Sequence, residues 1–191
     1  MASSPADSAL RLGELSLTRP VTEAVRVEDE VVALFDEFRS PLFRYLLTFR
    51  IAVPDAEEIV QEVFLALFRH LRGGKSRTNL QGWIFRVAHN LALKRRLRVQ
   101  RETASSIDSP VAESPCPETQ AASEQRTRLL QTVFRALPEQ DRCCLSLRAE
   151  GMRYREIARV LGISLGSVAN SMERSLARLA RAEKTGKYDR R

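Results

Sequence analysis

Two stretches of this 191-residue chain combine residue types suited to nucleic acid. The first brings Trp83 and Phe85 together with Arg86, Asn90 and a basic run at Lys94, Arg95, Arg96, Arg98 and Arg101. Flat faces for bases beside cations for phosphates are what a single strand requires. A plainer use stands next to it: Trp83 lies on an apolar helix stripe and suits a core, and cations favour a helix C-terminus, where the dipole is negative. The second stretch, Tyr154 to Met172, has the layout of a helix-turn-helix. Ile157 and Leu161 face inward, small Ala158 lets two helices approach, Gly162 permits the turn, and Val168 with Met172 anchor the second helix. Arg153, Arg155 and Arg159 on its first helix, and Arg174, Arg178 and Arg181 on its second, are placed to meet phosphates. Base edges would be read near the start of the second helix by Leu165, Ser167, Ala169 and above all Asn170, whose amide can pair with adenine. As a bland alternative, the same hairpin serves only as core.

Asp55, Glu57, Glu58, Gln61 and Glu62 form an acidic helix face in a chain that is otherwise basic. Such a face is commonly only solvated, yet it would also steer docking onto a basic partner. Chemistry by a catalytic centre has little support. His70 and His89 are the two histidines, neither at nucleophile or metal spacing from a Cys, Ser or carboxylate, and both read as surface or interface residues. Glycine-rich phosphate loops are absent, so the chain is expected to be no enzyme and to need no cofactor and no metal. Cys143 and Cys144 read as small packing residues. Cys116 stands alone between two prolines, so neither a disulfide framework nor a zinc site emerges.

Helices must position these groups, and strand signals are nearly missing. Val31, Leu34, Phe35, Phe38, Leu42, Tyr45, Leu46 and Phe49 recur at three-and-four spacing on a first helix that Pro41 should bend or interrupt. Asp55 and Glu58 form a capping-box-like pair before an unbroken stripe from Ala56 to Leu71, which Gly73-Gly74 stops. A third helix turns Leu80, Trp83, Ile84, Val87, Ala88 and Leu91 inward. Helices are predicted near Glu124 to Ala136 and Glu139 to Glu150, the latter begun by Pro138 and stopped by Gly151, before the helix-turn-helix pair. The predicted fold is all-α, with two small helical domains at 28–101 and 124–184 joined by a flexible acidic linker at 102–123. That linker holds Glu102, Asp108, Glu113 and Glu118, three prolines and no Lys or Arg. Residues 1–27 read as a disordered extension and 185–191 as a tail.

Composition agrees with this reading. With 43% hydrophobic and 29% charged residues the chain can form cores, and its longest apolar run, Val63 to Phe68, is far too short to cross a membrane. No secretory signal opens the chain, so a cytoplasmic location is expected. Thirty-one Lys and Arg against 24 Asp and Glu give a net charge of +7, which suits a polyanionic partner.

The order of these parts resembles a bacterial RNA polymerase sigma factor of the extracytoplasmic-function type, whose two helical domains are called region 2 and region 4. Asp55-Ala-Glu-Glu-Ile-Val-Gln-Glu-Val-Phe64 resembles that family's clamp-binding helix, and Gly82-Trp-Ile-Phe-Arg-Val-Ala-His-Asn-Leu91 its promoter-melting segment. Ala136-Leu-Pro-Glu139 with Tyr154-Arg-Glu-Ile-Ala-Arg-Val-Leu-Gly-Ile163 resembles the start and helix-turn-helix of region 4. The resemblance implies a factor that directs transcription initiation with core RNA polymerase and promoter DNA as partners. Asp55, Glu57, Glu58, Gln61 and Glu62 would bind the beta-prime clamp helices, and the second domain would meet the beta flap. Lys75, Arg77, Asn79, Trp83, Phe85, Arg86, Asn90, Lys94, Arg95 and Arg98 would recognise and open the minus-ten element. Tyr154, Arg155, Ser164, Leu165, Ser167, Ala169, Asn170, Arg174 and Arg178 would bind the minus-thirty-five duplex. The family also implies room for an anti-sigma factor, which the sequence does not identify. Two departures stand out: Lys94 replaces a common Asp, and Ala169, Ser171 and Glu173 stand where relatives often carry cations. An autonomous helix-turn-helix repressor or activator, and a helical adaptor that never touches DNA, are the competing readings.

Overall fold

The computed structural model describes residues 19–104 and 123–188, so residues 1–18, most of the expected linker and the last three residues lie outside the described chain. Seven helices and no strands make up the described residues: α1 (Arg19–Leu47), α2 (Val53–Arg72), α3 (Leu80–Ala104), α4 (Ser123–Ala136), α5 (Glu139–Ala149), α6 (Tyr154–Leu161) and α7 (Leu165–Tyr188). Pro41 does not break α1, which is one helix on both sides of it. Phe38, Leu42, Tyr45 and Leu46 are all buried there, and that shared apolar face holds the helix together across the missing N–H. The helix also begins inside the segment read as an extension, with Val27 buried. Likewise α7 runs into the expected tail.

In the first lobe, α1 and α3 pack on α2, whose Ala56, Ile59, Val63 and Leu67 are almost fully buried. Asp55 and Glu58 form no capping box: Ala52 precedes the helix with no side-chain cap, and Pro54 occupies the first turn. Gly74 takes φ 64 and Lys75 N donates to His70 O at 3.2 Å, which ends α2 as its two glycines predict. Asn79, at φ 54, opens α3 by accepting from Gly82 N at 3.0 Å. A Cβ on Gly82 would lie 2.7 Å from Asn79 Nδ2, so glycine is what lets this cap close over the helix start. In the second lobe Cys143, Cys144, Leu147, Ile157 and Val168 form the core, and Gly162 turns α6 into α7 at φ 67.

The lobes do not stand apart. Helix α3 packs on α6 and α1 on α5, so one buried cluster runs through both lobes. At this seam Arg142 is buried, and its guanidinium donates to Thr48 O at 3.3 and 3.2 Å, to Leu137 O at 2.5 Å and to Arg135 O at 3.5 Å. Those carbonyls close the ends of α1 and α4, where the helix dipole is negative. Arg50 also donates to Arg135 O, at 3.0 Å, while Arg44 pairs with Glu150 at 3.0 Å and Arg96 pairs with Glu139. Gln81 Nε2 donates to Glu150 O at 3.0 Å.

Beside the seam His89, read from the sequence as a surface or interface residue, is buried, with Nδ1 2.9 Å from the Tyr45 hydroxyl and its ring 5.4 Å from that of Phe49. Burial pulls its pKa down to about 4, because the charged ring would lose its water. Burial likewise pushes the Cys143 thiol up to about 11 and the Tyr45 hydroxyl well above its ordinary value.

Two expectations follow for stability. Arg142→Met leaves the α1 and α4 carbonyls without donors, and urea denaturation should show a loss of about 2–4 kcal/mol. The depressed pKa of His89 means that the unfolded chain binds the extra proton first as pH falls. Stability should therefore be full above pH 6.5 and decline below it towards about pH 4, by at most ~1.4 kcal/mol per pH unit. Denaturation midpoints at pH 7.5, 6 and 5 measure this slope, and His89→Gln should flatten it between pH 6.5 and 5.

Candidate nucleic-acid interface

On α3 the residues divide by helical phase. Ile84, Phe85, Ala88 and Ala92 are fully buried, whereas Arg86, Asn90 and Lys94 are exposed at four-residue intervals and form one ridge. Phe85 is therefore corrected from base-stacking residue to core: its ring meets Tyr45 at 5.5 Å and Phe38 at 6.4 Å, both edge-on, and no face remains for a base. Trp83 is half-buried, 4.7 Å from the His70 ring. His70 Nε2 in turn lies 2.9 Å from Ser76 O, which ties the loop before α3 to α2. Within that loop Lys75 is exposed, Arg77 pairs with Glu30 at 3.1 Å, and Asn79 is occupied as the α3 cap.

Arg95 is also reassigned. Its guanidinium reaches Asp55 at 2.8 Å and Glu58 at 2.5 Å, with its side chain only 14% exposed, so it joins α3 to α2 instead of facing outward. The bond to Glu58 is the main cause of its raised pKa. The acidic face thereby splits: Asp55 and Glu58 are held by Arg95, while Glu57, Gln61 and Glu62 remain exposed. Leu65 lies 50% exposed among them, one turn beyond Gln61 and Glu62. The sequence carried a signal for Leu65, since it falls out of phase with the buried stripe. Arg98 is exposed farther along α3.

At the helix-turn-helix, Ser164 Oγ accepts from Ser167 N at 3.0 Å and lies 2.8 Å from Ser167 Oγ, so both serines serve as the cap of α7. Leu165, Ala169, Asn170 and Glu173 are exposed along the start of α7, and Tyr154, Arg155 and Arg159 along α6. Arg178 is exposed farther down α7. Arg174 is exposed too, but its guanidinium is engaged within the chain. It grips fully buried Asp141 through Nη2 at 2.8 Å and Nε at 3.3 Å, and this pairing raises its pKa. Its task is to fasten α7 to α5. Periodicity alone missed Asp141, a carboxylate on the inward side of α5. Groups of three or more His, Cys, Asp or Glu fit to hold a metal are absent among the described residues, and no described helix is long and apolar enough to cross a membrane.

The comparisons with known proteins agree with this layout. Residues 34–102 match Sigma-70 region 2 and residues 127–179 match Sigma-70, region 4. The chain is 32% identical over 142 residues to the ECF RNA polymerase sigma factor SigE of Mycolicibacterium smegmatis, a match that covers 71% of this chain and 55% of that protein. It is 28% identical over 134 residues to the ECF RNA polymerase sigma-E factor of Escherichia coli, covering 63% and 70%. The chain thus spans only about half the length of the first of these relatives. Among solved structures, the sigma factor RpoE of Bartonella quintana in complex with the anti-sigma factor NepR superposes with a TM-score of 0.59 at 19% identity, over 80% of this chain and 97% of that one. CnrH in complex with the cytosolic domain of CnrY gives 0.57 at 21% identity, over 87% and 95%. At such identity these two likenesses speak for the fold. With region 2 and region 4 matched in order, the chain belongs to the sigma-70 family of RNA polymerase sigma factors, in its extracytoplasmic-function (ECF) branch.

Proposed function

We propose that this chain acts in the cytoplasm as a sigma factor that carries core RNA polymerase to promoters and helps open them. The observation that carries the reading is the pair of exposed nucleic-acid faces on separate lobes of one chain: the Arg86, Asn90 and Lys94 ridge of α3, and the α7 start at Leu165, Ala169 and Asn170 behind the Gly162 turn. The first suits a melted minus-ten strand, with half-buried Trp83 at its edge and Lys75 in the adjoining loop. The second suits the major groove of a minus-thirty-five duplex, with Arg155 and Arg178 placed for phosphates. Core polymerase would dock on the α2 face of Glu57, Gln61, Glu62 and Leu65, through the beta-prime clamp helices, and the second lobe would meet the beta flap. Both similar structures are complexes with a second protein, one of them an anti-sigma factor, and this chain would accept a regulator of that class. Its role is recognition, without a reaction of its own.

Run-off transcription with purified core polymerase and a genomic promoter library tests the function: the chain should direct initiation at discrete promoters, and binding of an operator by the chain alone would favour a repressor. Glu57→Lys with Glu62→Lys should weaken core-polymerase binding by roughly tenfold or more in a titration while leaving the unfolding midpoint nearly in place, because both side chains are exposed on α2 and exposed charges contribute little to stability. Glu58→Lys should lower the midpoint as well, since Arg95 loses a partner. On promoter DNA in the presence of polymerase, Ala169→Lys should strengthen binding to matched and scrambled sites alike and steepen the salt slope by about one unit. Asn170→Ala should cost about 1–3 kcal/mol of discrimination at one base pair and leave the slope unchanged.

A further inference from the structure

We propose that His70 is a positioning residue of the minus-ten site: it holds the loop before α3 and the ring of Trp83 in one arrangement, so that an opened DNA strand meets a surface already formed. The inference rests on the function proposed above and names what keeps its first nucleic-acid face in place.

Backbone bonds tie the loop of residues 73–79 at its two ends. Gly73 N, Gly74 N and Lys75 N donate to Arg69 O, Leu71 O and His70 O at 3.0, 3.0 and 3.2 Å, and Trp83 N donates to Asn79 O at 3.1 Å. Side chains hold the middle. Thr78 N donates to Ser76 Oγ at 3.2 Å, Arg77 pairs with Glu30 at 3.1 Å, and His70 Nε2 lies 2.9 Å from Ser76 O. A carbonyl oxygen can only accept, so Nε2 carries the proton and His70 is the donor of that bond. The pair of Arg77 and Glu30 stands in water, where such pairs contribute little. His70 is half-buried with its ring 4.7 Å from that of Trp83, so the group that bonds Ser76 is itself confined. One imidazole thus joins the end of α2, the middle of the loop and the start of α3.

The core has little need of this residue, because Leu67 and Leu71 fill the buried side of the last turns of α2. The proposed DNA face has more. Trp83 precedes Arg86, Asn90 and Lys94 by three, seven and eleven residues, so the ring that His70 backs heads the exposed basic ridge of α3. An unpaired strand is short-lived while the duplex opens, and a loop and ring that had to be ordered at that moment would set the entropy of ordering against its capture.

Holoenzyme assembled with purified core polymerase, on a promoter recovered by run-off, tests the role. With permanganate reactivity of the minus-ten thymines as the readout, His70→Ala should slow open-complex formation roughly fivefold, the weight of one hydrogen bond. His70→Gln, whose amide nitrogen can stand near the place of Nε2, should recover most of that rate, and His70→Asn, one methylene shorter, should not. On a template already unpaired across the minus-ten element, all three variants should initiate within about twofold of the wild type, since capture no longer competes with re-pairing. A loss of equal size on both templates would mark a general defect of folding or polymerase binding, and a Gln variant as slow as the Ala variant would show that the donor is not what counts. Either result overturns the proposal.

The free chain checks the contact itself. Trp83 is its single tryptophan, so emission reports on this place alone, and His70→Ala should raise quenching by acrylamide because a neighbouring ring is gone. Unchanged quenching would show that His70 does not back Trp83 in solution and would overturn the proposal as well. Wild-type run-off separates the two failures: if the wild type directs no initiation, the functional reading falls and takes this inference with it, whereas an active wild type matched by His70→Ala on duplex promoter removes the inference alone.

Discussion

The fold turns on one buried cation. A guanidinium removed from water must have its donors satisfied, and Arg142 finds its acceptors in the carbonyl ends of two helices, one from each lobe. That single group fixes where α5 lies against the end of α1. From α5 the order continues outward, because Asp141, one residue earlier, holds Arg174 and so sets the position of α7. The helix that carries Asn170 is thus placed through a chain of polar contacts that begins at the seam. Among the described residues the acceptors of Arg142 are carbonyls, so its binding depends on helix ends meeting there, which makes lobe docking and helix placement one problem.

A second polar device divides the first lobe into holding and presenting residues. Arg95 draws Asp55 and Glu58 onto α3. Neighbouring Glu57, Gln61 and Glu62 are left facing solvent on α2, while Arg86, Asn90 and Lys94 face solvent on α3. Two adjacent helices therefore offer an acidic face and a basic ridge without collapsing on one another, since the charges nearest each other are already paired. Separation of this kind lets one small lobe meet a basic protein surface and an anionic strand at once.

Much of this was legible in the sequence wherever the information is local. The stripe from Ala56 to Leu71, the Gly73-Gly74 stop and the Gly162 turn all depend on residues within a turn or two of each other, and they stand where spacing puts them. Partnerships across helices were not legible. Arg95 and Arg174 look like free cations until α2 and α5 are set beside them, and His89 looks like a surface or interface residue until Tyr45 covers it. Phe85 failed for a subtler reason. Residues two apart on a helix point about 160° away from each other, so Trp83 and Phe85 cannot both face one ligand, and the aromatic cluster of Tyr45 and Phe38 decides which is buried. Pro41 shows the reverse error: a local rule for breaking helices yielded to a buried face on both sides.

The composition of α7 then fits its place in the assembly proposed for it. Its exposed start offers Leu165, Ala169, Asn170 and Glu173, with no cation until Arg178 that is not already fastened to α5. Phosphate contacts supply most of the affinity of a protein for duplex DNA, and a helix so poor in them cannot hold DNA by charge alone. What it retains is the means to discriminate, through one amide and a small apolar surface against base edges. In that proposed assembly affinity would come from elsewhere, from the basic ridge on the other lobe and from a polymerase that brings the duplex to both. A helix that discriminates without gripping suits the proposed assembly, because the duplex it reads would be held there by other surfaces.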